Sequence, residues 1–216
     1  MIEIYSMHVL VIAATESEIA PFIAQNKAAE YLITGVGAPA CLYQLLKKMQ
    51  LKKYDLVIQA GIAGTFNPGI LLGETVLVHK DFFADLGIME NDKLSSLFDV
   101  GLAEKNEAPY QDGFLVNENK FLQQSALKKV TAITVNTVGD DKKIINHYVK
   151  KYHADIESME GAAFHYVCLQ EKIPFIQLRT ISNIVGERDK LKWKMNEAIT
   201  HLNIELNNLF SIVNAV

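Results

Sequence analysis

Polar residues at two corners in the last third of the chain have the types and the spacing of a site that binds a ligand or catalyses a reaction. Residues 155–189 predict a short strand, a polar corner at 157–160, an apolar helix to about residue 171, a buried strand at 174–181 and a polar exit at 182–189. Polar corners at the ends of neighbouring elements of an α/β sheet converge on one crevice, where such sheets bind ligands. We therefore expect both corners to face one ligand.

Within these corners, Glu160 and Asn183 offer complementary polar groups. Glu160 stands where the helix begins, so the helix dipole favours an ionised carboxylate that can accept hydrogen bonds from two ribose hydroxyls. Compensation of the dipole alone explains that position equally well. Asn183 presents one donor and one acceptor in a plane, or forms a turn. The neighbouring Met159 packs either on a sugar face or in the core.

Two charged side chains that are far apart in the sequence, Arg179 and Glu18, are candidates to meet at this site. Arg179 lies inside an apolar strand, where a charge must be paired or face a polar cavity. Glu18 follows residues 8–14, an apolar run that predicts a central strand. The spacing of Thr15 and Glu18 favours a structural capping box on a helix that Pro21 would kink or delay. The alternative is a functional carboxylate with Arg179 as its partner.

Three segments that contain glycine also follow predicted strands: residues 35–37, 61–64 and 136–139. Small residues there let a ligand approach backbone N–H groups, although tight turns use the same residues. The first two segments complete neither a dinucleotide fingerprint nor a P-loop. Asp85, just beyond the long strand predicted at 74–83, is either a turn residue or a pocket residue.

Strands alternate with helices along the chain, which predicts an α/β fold of about six strands in one domain, residues 1–216. Other predicted helices span residues 38–49, 119–127 and 140–151, and an amphipathic final helix starts at about residue 191. Residues 90–113 are polar and irregular, and they predict a loop or a lid.

Composition excludes several classes of function. The net charge of −4 argues against a nucleic-acid partner, which requires a basic face. No apolar run approaches the ~20 residues of a membrane span. Glu3 stands where a signal peptide would carry Lys or Arg, so we expect a cytoplasmic protein. Cys41 and Cys168 sit in apolar stretches as buried thiols, and we expect neither a metal nor an organic cofactor.

The order of these motifs resembles the nucleoside phosphorylase and nucleosidase superfamily over nearly the whole chain. The resemblance rests on VIAATESEI, ITGVG, IQAGIAGTFNPGILLGETVLV, SMEGAAFHYV and LRTISN. Within it, residues 83–87 and 182–189 with Trp193 look most like the futalosine hydrolases, which remove hypoxanthine from futalosine on a route to menaquinone. The resemblance implies a three-layer sandwich with a central mixed, mostly parallel twisted sheet flanked by helices.

The resemblance also implies roles for individual residues. Glu18 matches the carboxylate that activates water in the nucleosidases, and Arg179 matches an arginine near that water. Met159 and Glu160 match a pair that packs on the ribose and hydrogen-bonds to it. Asn183 would receive the leaving purine. Further contacts to the base would come from Ile62, Ala63, Gly64, Thr137, Val138, Gly139 and Ser182.

Two departures from the related nucleosidases affect these roles. Ile62 replaces a Ser, so a hydroxyl contact is absent there, and Asn183 replaces an Asp that works at purine N7. A carboxyl group matches adenine. An amide matches hypoxanthine, because Nδ2 can donate to O6 while Oδ1 accepts from N7–H. A mispaired buried contact costs ~1–3 kcal/mol, which biases the site toward 6-oxopurines without forbidding adenine.

Hydrolysis is favoured over phosphorolysis. A phosphorylase must clamp an anion, yet the first strand leads into two glutamates and no Arg precedes Arg179. We therefore expect water to attack a purine nucleoside, with futalosine preferred. The alternatives are a methylthioadenosine/S-adenosylhomocysteine-type nucleosidase and a nucleoside-binding module without catalysis. A symmetric homo-oligomer, a dimer or larger, is the expected assembly.

Overall fold

The structure is a computed structural model that describes residues 7–91 and 93–214, so Glu3 lies outside the described residues. These residues contain ten strands instead of about six: β1 (Val9–Ala13), β2 (Glu30–Ile33), β3 (Leu56–Thr65), β4 (Thr75–Asp81), β5 (Gly87–Glu90), β6 (Lys93–Ser96), β7 (Leu115–Val116), β8 (Lys128–Thr134), β9 (Ile156–Ser158) and β10 (Phe175–Ile184). The helices are α1 (Glu16–Gln25), α2 (Ala38–Met49), α3 (Lys120–Gln124), α4 (Lys142–Tyr152), α5 (Gly161–Gln170) and α6 (Met195–Asn214).

Eight of these strands form one mixed sheet, and five of its strands close into a ring. Strands β2 and β1 lie beside β3, and the ring then runs through β3, β10, β4, β8 and β9, which pairs back onto β3. Among the described strands, parallel pairs outnumber antiparallel ones in this sheet, as predicted. The closure is a feature that the predicted sandwich lacks, because apolar runs indicate which faces are buried but not which strand lies next.

Strand β1 is buried on both faces, and this burial fixes the helix that follows it. Val11 packs in one apolar cluster with Phe22 of α1 and Leu206 of α6. Its neighbour Leu10 points the other way and packs in a second cluster with Phe164 of α5. Alternation along a strand sends successive side chains to opposite faces. Helix α1 is therefore anchored directly after β1, at the edge of the sheet where the parallel strands end.

Helix α1 continues through Pro21, and Asn203 of α6 hydrogen-bonds to the backbone of the turn around this proline. The buried Asn203 accepts from the Phe22 N–H at 2.9 Å and donates to the Glu18 carbonyl at 2.8 Å. Those two backbone groups would otherwise pair with each other as the i→i−4 bond of the helix. Asn203 thus holds the turn of α1 that carries the Glu18 side chain.

Strands β3 and β10 are both longer than predicted, and their extensions carry polar and small residues to the edge of the sheet. The glycine-rich residues 61–64 belong to β3 and do not form a turn after it. They pair with the last residues of β10, where the register shifts at Ser182. Glycine is disfavoured in strands, so the sequence pattern indicated a turn; two long neighbouring strands override that preference here.

Candidate active site

The Glu18 carboxylate caps a helix and lines a cavity at the same time. Its Oε2 accepts from the Thr15 N–H at 2.9 Å and from the Thr15 hydroxyl at 3.0 Å, which are contacts of the predicted capping box. Its Oε1 accepts from the Ile62 N–H of β3 at 3.2 Å. The side chain is 7% exposed. One carboxylate therefore forms the predicted capping box and also lines the cavity.

Glu160 is the N-cap residue of α5 and links three elements of the site. Its Oε1 accepts from the Gly37 N–H at 2.9 Å, and Gly37 has a positive φ of 94° that glycine adopts without strain. Its Oε2 lies 3.7 Å from Arg179 Nη2. The segment at residues 35–37 thus contributes a backbone donor to the site. These contacts fix the orientation of a buried carboxylate.

Arg179 is buried within β10 and forms its ion pair with Glu160, not with Glu18, which was one candidate for its partner. Its Nη1 also donates to the Ile62 carbonyl at 3.3 Å. Gly61 makes room for it: a Cβ there would lie 2.3 Å from Arg179 Nη1 and 3.1 Å from Glu18 Oε1. The arginine therefore connects the Glu160 carboxylate to the backbone that holds Glu18.

Asn183 lies at the end of β10, just after the register shift. Its Oδ1 accepts from the Ser182 hydroxyl at 2.8 Å, and its Nδ2 donates to the Ile184 carbonyl at 3.1 Å. The Nδ2 atom would be 3.2 Å from a Cβ on Gly64 of β3. The hydrogen bond from the Ser182 hydroxyl determines the positions of Oδ1 and Nδ2 in the Asn183 amide, and Gly64 leaves space above β3.

These residues surround one cavity of about 510 Å³ at the ends of β1, β3, β9 and β10. This volume lies within the ~300–1,000 Å³ of small-molecule sites. The acid from the start of the chain and the amide from near its end face this same cavity. The predicted site residues that line it are Glu18, Ile62, Ala63, Gly64, Val138, Met159, Glu160, Ser182 and Asn183.

Three predicted site residues lie elsewhere. Arg179 is behind the wall, through the contacts given above. Thr137 and Gly139 do not line the cavity, although Val138 between them does. Within the described part of residues 90–113, no residue lines it either; Phe98 and Tyr110 of that region pack in an aromatic cluster with Phe82 instead. The region does not form a lid over this cavity.

Some residues at the cavity carried only a weak signal in the sequence. Arg188 and Trp193, which follow β10, both line it, and the indole N–H donates to the Glu187 carbonyl at 3.0 Å. Glu157 lines it as well and is 7% exposed. The only hint of Glu157 was its place in the polar corner at 157–160. The Asp85 carboxylate accepts hydrogen bonds from the backbone N–H and the side-chain N–H of Asn136.

Comparison with known proteins identifies the family. A family model described as "Phosphorylase superfamily" matches residues 25–216. The chain belongs to this superfamily. The match covers most of the chain and includes Glu160 and Asn183.

Two relatives by sequence are named futalosine hydrolase. That of Thermus thermophilus is 30% identical over 175 residues, which are 80% of this chain and 76% of the relative. That of Streptomyces coelicolor is 28% identical over 163 residues, 75% of this chain and 68% of the relative. A solved structure, the 5′-methylthioadenosine/S-adenosylhomocysteine nucleosidase of Campylobacter jejuni, aligns with a TM-score of 0.79 at 18% identity over 97% of this chain and 100% of that chain. The structural likeness shows a common single-domain α/β fold.

The described residues also bear on membranes and metals. Across residues 7–91 and 93–214, no helix is both long and apolar enough to span a bilayer. In the same part of the chain, no three His, Cys, Asp or Glu side chains are grouped to hold a metal ion. Cys41 and Cys168 are free and buried, and burial raises the pKa of Cys41 to about 12.

Proposed function

We propose that the chain hydrolyses the N-glycosidic bond of futalosine and releases hypoxanthine, a step on a route to menaquinone. The observation that carries this proposal is that the Glu18 carboxylate and the Asn183 amide face one cavity of about 510 Å³. The two futalosine hydrolases similar in sequence support it. The chain is an N-glycosidic hydrolase, and the roles that follow are assigned from the geometry of its site.

Glu160 holds the ribose. Its carboxylate is fixed by Gly37 N–H and Arg179, and it lines the cavity beside Met159. An ionised carboxylate accepts hydrogen bonds from two vicinal hydroxyls, and the thioether of Met159 covers the sugar face. This places C1′ between Glu160 and Glu18.

Glu18 is the general base. It takes a proton from the water that attacks C1′ while the C1′–N9 bond breaks. Arg179 is a positioning residue. It pairs with Glu160 directly, and it donates to the carbonyl of Ile62, the residue whose N–H donates to Glu18.

Asn183 receives the leaving base. Negative charge develops on the purine as the bond breaks, and groups that meet it in the transition state accelerate the step. Oδ1, already oriented by the Ser182 hydroxyl, accepts from N7–H, and Nδ2 donates to O6 of hypoxanthine. The amide has no proton to give, so water protonates N7. Ala63, Gly64 and Val138 pack against the ring.

Water is the nucleophile in this proposal, and phosphate is not. Glu18 and Glu160 both line the cavity, and their negative charge opposes a bound phosphate. The cations that line it, Arg188 and Lys190, come from the segment after β10. We assign them to the benzoate end of futalosine; the lysines of residues 90–113 do not line the cavity.

A purine-release assay on futalosine, methylthioadenosine and inosine, each with and without phosphate, tests the function. We expect fastest release from futalosine and no effect of phosphate. Fastest release from methylthioadenosine would favour the second candidate, a methylthioadenosine-type nucleosidase, for which the Campylobacter structure is the specific observation. Dependence on phosphate would replace hydrolysis by phosphorolysis. Binding without release would indicate a non-catalytic module.

The protein acts as one nucleosidase domain, residues 1–216, and as a homo-oligomer in the cytoplasm. Support for assembly comes from exposed apolar side chains near the site: Val36, at the cavity, is 57% exposed and Tyr43 of α2 is 61% exposed. Large exposed apolar side chains are common at interfaces between copies. Light scattering after size-exclusion chromatography should give a mass of at least two chains; a single-chain mass at micromolar concentration contradicts it.

A further inference from the structure

Glu157 and Asn183 stand on the same face of the sheet with a glycine between them. Gly64 of β3 pairs with Asn183 of β10 on one side and with Glu157 of β9 on the other. Residues directly opposite in neighbouring strands point to the same face. Strands lie about 4.8 Å apart, so the two Cα atoms are roughly 10 Å apart across the bare backbone of Gly64. All three residues line the cavity.

The Glu157 carboxyl is buried but has no hydrogen-bond partner among the described residues. It is 7% exposed, and what exposure remains faces the cavity. Buried carboxyl groups without partners are rare, because desolvation is costly. Burial and, to a smaller extent, the negative charge of Asp85 raise the pKa of Glu157 to about 7, although Arg188 opposes the shift. The carboxyl is therefore free to bind a group of a ligand in the cavity.

We propose that Glu157 hydrogen-bonds to N1 of the purine and is a specificity-determining residue for 6-oxopurines. This inference rests on the proposed function, in which Asn183 hydrogen-bonds to O6 and N7 of the same ring. The N1 edge lies beyond O6, on the side of the ring away from N7, and Glu157 lies beyond the Gly64 gap, away from Asn183. Hypoxanthine carries a hydrogen on N1, which an ionised carboxylate accepts. Adenine has a lone pair there, which the carboxylate repels.

The preference of the site for 6-oxopurines should depend on pH, because the protonation of Glu157 changes what it can bind at N1. Below its pKa, Glu157 is protonated and can donate to N1 of adenine; above it, the carboxylate accepts N1–H of hypoxanthine. The preference for 6-oxopurines over 6-aminopurines therefore rises as pH increases through about 7. The charged or titratable groups around Glu157 are Asp85 beyond β4, Tyr148 of α4, Arg188 beyond β10 and, along the cavity, Glu160.

The test compares futalosine with its 6-amino counterpart, and free hypoxanthine with free adenine. For the wild type, we expect the ratio of kcat/KM values, and the ratio of base affinities by calorimetry, to rise about tenfold or more from about pH 6 to about pH 8. Glu157→Gln, which can both donate and accept, should give a ratio that is lower at about pH 8 and independent of pH. Glu171→Gln, which removes an exposed carboxylate at the end of α5, should behave as the wild type.

Several outcomes would overturn the assignment. If the ratio of kcat/KM values for the 6-oxo and 6-amino substrates does not change with pH in the wild type, the assignment is wrong, even if Glu157→Gln fails to fold. The assignment is also wrong if the Glu157→Gln protein keeps the wild-type ratio at every pH. Failure of the proposed function is a separate result: the wild type would then cleave neither nucleoside. The calorimetric affinities for the two free bases would still decide the role of Glu157 in that case.

Discussion

At the scale of single residues, Glu18 shows which contacts the spacing of residues in the sequence predicts and which it does not. The interval between Thr15 and Glu18 predicted a capping box, and the structure contains it. Spacing carries no information on what else the carboxylate faces, since the Ile62 N–H comes from a strand more than forty residues later. The two polar corners that supply Glu160 and Asn183 were predictable, because buried strands that end in polar residues are readable in the sequence. Glu157 was not singled out, because its burial depends on strand pairing.

Glu18→Gln should abolish turnover while the protein still binds substrate. The amide keeps the size of the side chain but cannot accept a proton, and general base catalysis contributes about 10²- to 10⁴-fold. Rates of hypoxanthine release and calorimetric binding of futalosine measure the two effects. Glu16→Gln is the matched control, because Glu16 is exposed in the same first turn and does not line the cavity. Near-normal turnover of the Glu18 variant would remove it from the mechanism.

Asn183→Asp should shift the preference from hypoxanthine toward adenine nucleosides. The carboxyl group loses the N–H that meets O6 and gains an oxygen that suits an amino group, a change worth ~1–3 kcal/mol, or about five- to 150-fold in kcat/KM. The measurement is the ratio of kcat/KM for futalosine and its 6-amino counterpart. Asn208→Asp on the exposed face of α6 adds the same charge far from the amide and serves as control. An unchanged ratio would count against the base-reading role.

At the scale of elements, the site depends on irregularities that local patterns do not predict. The glycines at residues 61–64 suggested a turn, yet they lie in β3, where absent side chains make room for Arg179 and Asn183. Pro21 suggested a kink or a late start of α1, yet the helix contains it, and Asn203 of α6 hydrogen-bonds to the Phe22 N–H and the Glu18 carbonyl of the same turn. Both cases have the same cause. The compensating partner comes from a distant element, so it is invisible within a local window of sequence.

Asn203→Ala should lower both stability and turnover. It removes two buried side-chain hydrogen bonds, to the Phe22 N–H and to the Glu18 carbonyl, and each contributes about 0.5–1.5 kcal/mol. The turn that carries the Glu18 side chain then shifts, so kcat should fall more than KM changes. Thermal unfolding and steady-state kinetics measure these effects, with the exposed Asn208→Ala as control. Loss of stability at unchanged kcat would confine Asn203 to a structural role.

At the scale of the whole molecule, the α/β class and the mixed, mostly parallel sheet were predictable, and the closed ring was not. Alternating apolar strands and helices determine which surfaces must be buried. The closure instead depends on which strands pair, and β10 inserts between β3 and β4 although it is the last strand in the chain. The segment at residues 90–113 illustrates the same limit, since its composition suggested a lid while its position in the fold keeps it away from the cavity.

The stability of the whole molecule should contain a pH-dependent contribution from His165. This side chain is fully buried, and one ring nitrogen lies 2.9 Å from the Leu115 carbonyl. Burial lowers the pKa of His165 from 6.5 to about 4. The unfolded chain therefore takes up the proton first, so stability is lost as pH falls from 6.5 toward 4, by about 3 kcal/mol in all.

Urea unfolding of the wild type and of His165→Gln across this range measures that contribution. The difference between the two proteins should shrink as pH falls, because only the wild type contains the titrating ring. The comparison is needed because burial raises the pKa of Asp81 to about 6, which changes stability in the opposite sense. A difference that stays constant with pH would show that His165 does not titrate on unfolding.

The late arrival of β10 has a consequence for synthesis on the ribosome. Until residues 175–184 emerge, the facing edges of β3 and β4 both lack the strand that separates them. Unpaired edges recruit strands from other chains. A nascent or truncated chain that stops before residue 175 should therefore be insoluble, whereas completion of this one strand closes the ring, buries Arg179 and assembles the two halves of the nucleoside site in a single step.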